Sequence, residues 1–117
     1  MFGDFYQTAQ HEGKEKHVPV IHAPETVKAG EFFPITIAIG EEVPHPNLAE
    51  HHIKWMQVFA HYEGSKNPVH IATFDWAPIF VDPKITFNMR LDKPATIYAL
   101  SYCNIHGVWE SSVKINV

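Results

Sequence analysis

Apolar and polar residues alternate with a period of two along most of this 117-residue chain, the signature of half-buried strands. The run FFPITIAIG (32–40) sets Phe33, Ile35, Ile37 and Ile39 on one face and Pro34, Thr36 and Ala38 on the other. Runs of β-branched, aromatic or alternating residues predict further strands over 52–62, 69–76, 85–91, 95–102 and 108–117, with shorter ones at 17–21 and around 25–27. Breakers separate them: KAG, EGSKNP, the Asp82-Pro83 pair and DKP at 92–94. No segment carries an extended helical face, although residues 2–10 suit a short turn. About seven short strands in roughly 100 residues predict an all-β fold, an immunoglobulin-like antiparallel β-sandwich. With no repeat, low-complexity tract or linker, residues 1–117 are expected to form a single domain.

One segment interrupts the alternation. GEEVPHPNLAEHH (40–52) is acidic, and Pro44 and Pro46 flank His45. Two prolines stiffen the backbone around that imidazole, and a stiff loop holds a ligand well.

Composition narrows the function classes. Hydrophobic residues make up 45% and charged residues 19%, the balance of a soluble globular protein. No apolar run approaches the ~20 residues of a membrane span. Net charge is −4 with neutral histidines and no stretch is densely basic, which excludes nucleic acid as the expected partner. The start, MFGDFYQTAQ, has an acid and no basic region, so no secretory signal is expected there. A single cysteine rules out an internal disulfide, and together these features favour the cytoplasm.

Histidine is the outlier: nine occur in the chain, at 11, 17, 22, 45, 51, 52, 61, 70 and 106. In SYCNIHGVW (101–109), Cys103 precedes His106 by three positions. This reads either as a buried thiol beside a stray imidazole or as half of a metal site. In PHPNLAEHH, His45 and His51 lie six residues apart across the stiff loop. Adjacent side chains in extended backbone point opposite ways, so one of His51 and His52 faces any site, and His52 is expected to turn away. In GKEKHVPVIHAP, His17 is a further candidate imidazole at the start of a strand. His22 beyond it reads as a surface residue, and His11, His61 and His70 have no partner motif.

Taken together and in this order, EKHVPVI, PHPN.AEHHI and LSYCNIHG.WE resemble the superoxide reductases, the family of neelaredoxin and of the catalytic domain of desulfoferrodoxin. The resemblance runs from about Glu15 to the C-terminus. It implies one mononuclear non-haem iron with four equatorial imidazoles and an axial thiolate opposite an open position. Carried over position by position, the imidazoles are His17, His45, His51 and His106, and the thiolate is Cys103. Glu15 would close the open position of the ferric ion, and Lys16 would draw in anionic superoxide. The implied reaction is one-electron reduction of superoxide to hydrogen peroxide. No four-cysteine module precedes these motifs, so the electron is expected from an outside donor such as rubredoxin. A homotetramer is the implied assembly.

Three other readings compete. A cupredoxin-like blue-copper carrier also pairs Cys and His near the end of a β-sandwich, but no methionine follows His106 and four imidazoles exceed the two it needs. An adhesion module would carry its histidines incidentally. A superoxide dismutase would differ by releasing oxygen as well as peroxide.

Overall fold

In the computed structural model, which describes residues 1–14 and 16–117, alternating burial draws the chain into seven strands among those residues. They are β1 (Val20–His22), β2 (Phe33–Ala38), β3 (Ile53–Tyr62), β4 (Val69–Asp75), β5 (Lys84–Met89), β6 (Ala95–Cys103) and β7 (Gly107–Ile115). They form two antiparallel sheets, ordered β1-β2-β5 and β4-β3-β6-β7. The chain changes sheet after β2, after β4 and after β5, so the expected all-β sandwich is the fold observed. Two short 3-10 turns, Phe2–Phe5 and Ala9–His11, precede the strands. No helix among the described residues is long and apolar enough to cross a membrane.

The predicted face of the 32–40 run is buried: Phe33, Ile35, Ile37 and Ile39 all belong to the core. They meet Met56, Val58 and Ala60 of β3 and Ile97 and Ala99 of β6. Near the N-terminus the prediction shifts. The strand expected over 17–21 begins only at Val20, leaving His17 ahead of it, because β1 exists where it pairs with Thr36, Ile37 and Ala38. The stretch 25–27 makes no strand, only an isolated parallel bridge between Thr26 and Asn116.

Two features of β3 and β6 set up one end of the sandwich. In β6 every second residue is buried: Ala95, Ile97, Ala99, Ser101 and Cys103. Cys103 is thus the last inward position before the chain turns. In β3 the register against β6 slips between Ile53 and Trp55, a bulge that rephases the strand. Ile53 therefore faces the core beside Cys103, although strict alternation back from Met56 would have chosen Lys54.

Candidate metal centre

The turn after β6 brings the thiol and an imidazole together. Residues 104–106 form it, and Gly107, at φ +84°, takes the left-handed backbone needed to turn directly into β7. The His106 amide donates to Cys103 Sγ at 3.4 Å, and His106 Nδ1 lies 3.7 Å from the same sulfur. Trp109 Nε1 donates to the His106 carbonyl at 3.2 Å, fixing the far side of the turn.

His17 arrives from the other direction. Ser101, the polar inward position of β6, donates its hydroxyl to the His17 carbonyl at 2.9 Å. The His17 ring stacks on Trp109, with centroids 4.5 Å apart and planes 10° from parallel. His17 is only 4% exposed, and its Nε2 stands 3.1 Å from His106 Nδ1 although the residues are 89 positions apart.

The 40–52 loop supplies two more rings. His45 Nδ1 donates to the Pro46 carbonyl at 2.7 Å, which selects the tautomer whose Nε2 has a lone pair to give. Asn47 pins the loop to the 76–83 segment, accepting from Ile79 N at 2.8 Å and donating to the Val81 carbonyl at 3.2 Å. Asn104 ties its other end to the cysteine turn: Oδ1 accepts from His52 N at 2.8 Å and Nδ2 donates to the Glu50 carbonyl at 3.0 Å. His51 sits between these two anchored residues.

Gly40 starts this loop under a tight constraint. Its φ is +75°, and a Cβ there would lie 2.5 Å from His45 N, well inside contact distance. Gly40→Ala is therefore expected to cost the ~1–2 kcal/mol of a left-handed non-glycine residue and to push the His45 backbone outward as well. Urea unfolding and metal titration check this: lowered stability together with about tenfold weaker metal binding is expected, and parental values for both would contradict it.

The four rings close a circuit. Neighbouring centroids are 4.8 Å apart for His17–His45 and His45–His51, 5.0 Å for His51–His106 and 4.9 Å for His106–His17. Each pair meets edge to face, at 67° to 79°. Ligand atoms of His17, His45, His51 and Cys103 lie within 4.8 Å of one another. Donors on one ion at about 2.0–2.3 Å are separated by at most ~4.6 Å when opposite and by roughly 3.0–3.4 Å when adjacent. The 4.8 Å spread and the 3.1 Å His17–His106 separation match those spacings within a few tenths of an ångström. Imidazole with one thiol is a donor set for a first-row transition metal rather than for Mg or Ca. Cys103 is fully buried while His106 is exposed, so the centre is closed at the sulfur and open beside His106.

The other histidines lie apart from this group. His52 Nδ1 donates to the Leu48 carbonyl at 2.9 Å, His61 Nε2 lies 2.7 Å from the Ser65 carbonyl, and His70 Nε2 lies 2.8 Å from Thr73 Oγ1. His22 is exposed and meets both Glu41 oxygens at 2.8 Å, and His11 Nδ1 accepts from Thr8 N at 3.0 Å. Lys16 lines a hollow with Glu12, His22, Glu41 and Glu42. Lys14 lines another, of about 320 Å³, against His17, His106 and Trp109. Glu15 lies outside the described residues. Sequence reasoning gave no role to Asn104, Trp109, Ser101 or Gly40. Ser101, Asn104 and Trp109 stand inside the SYCNIHGVW motif, so their positions were legible; their partners were not.

Fold and site together define a class: a two-sheet β protein with a candidate transition-metal centre of imidazoles and one buried thiol at a strand end. The sequence profile of the desulfoferrodoxin family matches residues 9–112. The chain is 41% identical to a superoxide reductase of Thermococcus kodakarensis, over 86% of this chain and 88% of that one. It is 37% identical to the neelaredoxin of Megalodesulfovibrio gigas, over 96% and 95%. The solved superoxide reductase (neelaredoxin) from Ignicoccus hospitalis superposes with a TM-score of 0.93 at 39% identity, covering 100% of this chain and 98% of that one. This chain belongs to the desulfoferrodoxin family, among its superoxide reductases and neelaredoxins.

Proposed function

We propose that the protein is a superoxide reductase that holds one mononuclear non-haem iron through His17, His45, His51, His106 and Cys103. The observation that carries this reading is the closed circuit of four imidazoles beside a buried thiol. An iron held by these five residues would supply the one-electron redox chemistry that, with two protons, converts superoxide to hydrogen peroxide. A separate reductant, a rubredoxin-like protein in this reading, restores that electron.

The protein's own groups set the conditions. The buried Cys103 sulfur is reached by the His106 amide, a hydrogen bond that limits how much electron density the thiolate donates. Trp109 covers one flat face of His17 and holds that ring in orientation. The exposed His106 side leaves a path for a small anion. Protons come from solvent at this open edge. Glu15 is read as a carboxylate that would join the ligand set when the metal is oxidised.

Lys16 is read as a steering charge. A surface cation guiding a unit anion contributes about 1 kcal/mol after salt screening, or roughly fivefold in rate. Glu12, Glu41 and Glu42 share its hollow and offset part of that attraction. Lys16→Ile should slow the reaction with superoxide by no more than about fivefold and flatten its fall with ionic strength, at constant iron content. Pulse radiolysis at several salt concentrations measures both, and a variant matching the parent in rate and salt slope removes Lys16 from the account.

The reading also carries a single domain, a homotetramer and a cytoplasmic setting. The outer face of β3 and β6 is half-buried and carries an apolar patch, Trp55 stacked on Tyr102 with Phe59, Tyr98 and Leu100, interrupted by Gln57 and flanked by His61 and Thr96. This is a surface that such an assembly would cover.

A further inference from the structure

Glu12 lies outside every motif above, yet its side chain is only 8% exposed. One of its oxygens, Oε1, accepts the backbone amide of His17 and, at 3.0 Å, that of Val18. The same oxygen stands 3.9 Å from His17 Nδ1, on the opposite side of the ring from the Nε2 that faces His106. Glu12 is itself held in place. Its amide donates to the Ala9 carbonyl, closing the 3-10 turn, and Gln7 just before that turn pairs with Val108 and Glu110 on either side of Trp109. A continuous set of bonds therefore runs from β7 through Gln7 and the Ala9–His11 turn to Glu12, and from Glu12 to the main chain at His17.

We propose that Glu12 is the positioning residue of His17. Its carboxylate ties the His17 and Val18 amides to the end of the Ala9–His11 turn, so that His17 is located before any metal binds. It also sets a negative charge behind the ring. A carboxylate behind a ligating imidazole makes it a stronger donor and favours the more highly charged ion. The inference rests on the metal-centre reading, and it separates two contributions of one side chain, the hydrogen-bond acceptor and the charge.

Glu12→Gln and Glu12→Ala distinguish them, each prepared as the iron-loaded protein beside the parent. Glu12→Gln keeps a carbonyl oxygen for both amides. Its hydrogen exchange over residues 12–18 should stay parental, and its iron(II) affinity should fall by no more than about threefold. With the charge gone, its ferric-to-ferrous ratio at a fixed potential should drop by about tenfold, a midpoint higher by ~59 mV. Glu12→Ala loses the acceptor too: exchange at His17 and Val18 should rise at least tenfold, and iron affinity should fall by roughly 10–100-fold. Parental exchange and affinity in Glu12→Ala, or an unmoved midpoint in Glu12→Gln, overturns the inference. If Glu12→Ala does not fold, the Glu12→Gln midpoint decides alone. A parent that takes up no iron refutes the metal reading instead, and the exchange comparison still decides whether Glu12 holds His17.

Discussion

Cys103→Ser should yield a folded, nearly colourless protein that has lost its superoxide reductase activity. The fold survives because the change is small and the site already tolerates a serine: Ser101, two residues earlier on the same inward face of β6, is fully buried. The new hydroxyl inherits the His106 amide as a partner, so the cost of burying it stays near 1–2 kcal/mol. The chemistry does not survive. Cys103 is the only cysteine in the chain, so no second thiolate can take its place beside the imidazoles. Thiolate-to-iron charge transfer should vanish from the oxidised spectrum. The rate with superoxide should fall by more than the ~10–100-fold typical of losing an outer partner of a metal ligand. Optical spectra and pulse radiolysis on the iron-loaded variant test this, and retention of both band and rate would remove Cys103 from the ligand set.

The second large effect separates two adjacent histidines. His45→Ala and His51→Ala should each weaken iron binding by at least about tenfold, since each removes a donor from the circuit of rings. His52→Ala should do less. Its ring contributes one hydrogen bond, to the Leu48 carbonyl, worth about 1 kcal/mol to the loop. Its backbone bond to Asn104 remains in the variant, so the anchor beside His51 stays in place. His61→Ala and His70→Ala, whose ring partners lie elsewhere, should leave iron affinity unchanged. Equilibrium titration with iron(II) under anaerobic conditions measures all five. Equal losses at 51 and 52 would show that the loop turns the other way in the loaded protein.

Much of this architecture is legible in the sequence alone. Period two in 32–40 predicted Phe33, Ile35, Ile37 and Ile39 as the core face, because a sandwich core rewards that alternation directly, although Ala38 on the other face is buried as well. The breakers placed the ends of most strands within a residue or two. What escaped the reading depends on contacts between distant segments. His17 lies ahead of β1 because the strand forms only where β2 is there to pair with it. The bulge at Ile53–Trp55 that brings Ile53 inward beside Cys103 leaves no mark in composition. Adjacent-residue alternation chose His51 over His52, but residues 48–51 bend rather than extend, and what holds His52 aside is its bond back to Leu48. Asn104 and Glu12 look like ordinary polar residues until their partners appear, at Glu50 and His52 for one and at His17 and Val18 for the other. Gly40 is informative only once His45 N is seen against it.

The central claim is that the iron-loaded centre reduces superoxide and does not dismute it. The direct measurement is the yield of oxygen and hydrogen peroxide when pre-reduced, iron-loaded protein consumes a known amount of superoxide. The account predicts one hydrogen peroxide per superoxide consumed and no oxygen, with one electron drawn from the reductant each time. One oxygen released for every two superoxides, with no reductant consumed, would contradict it.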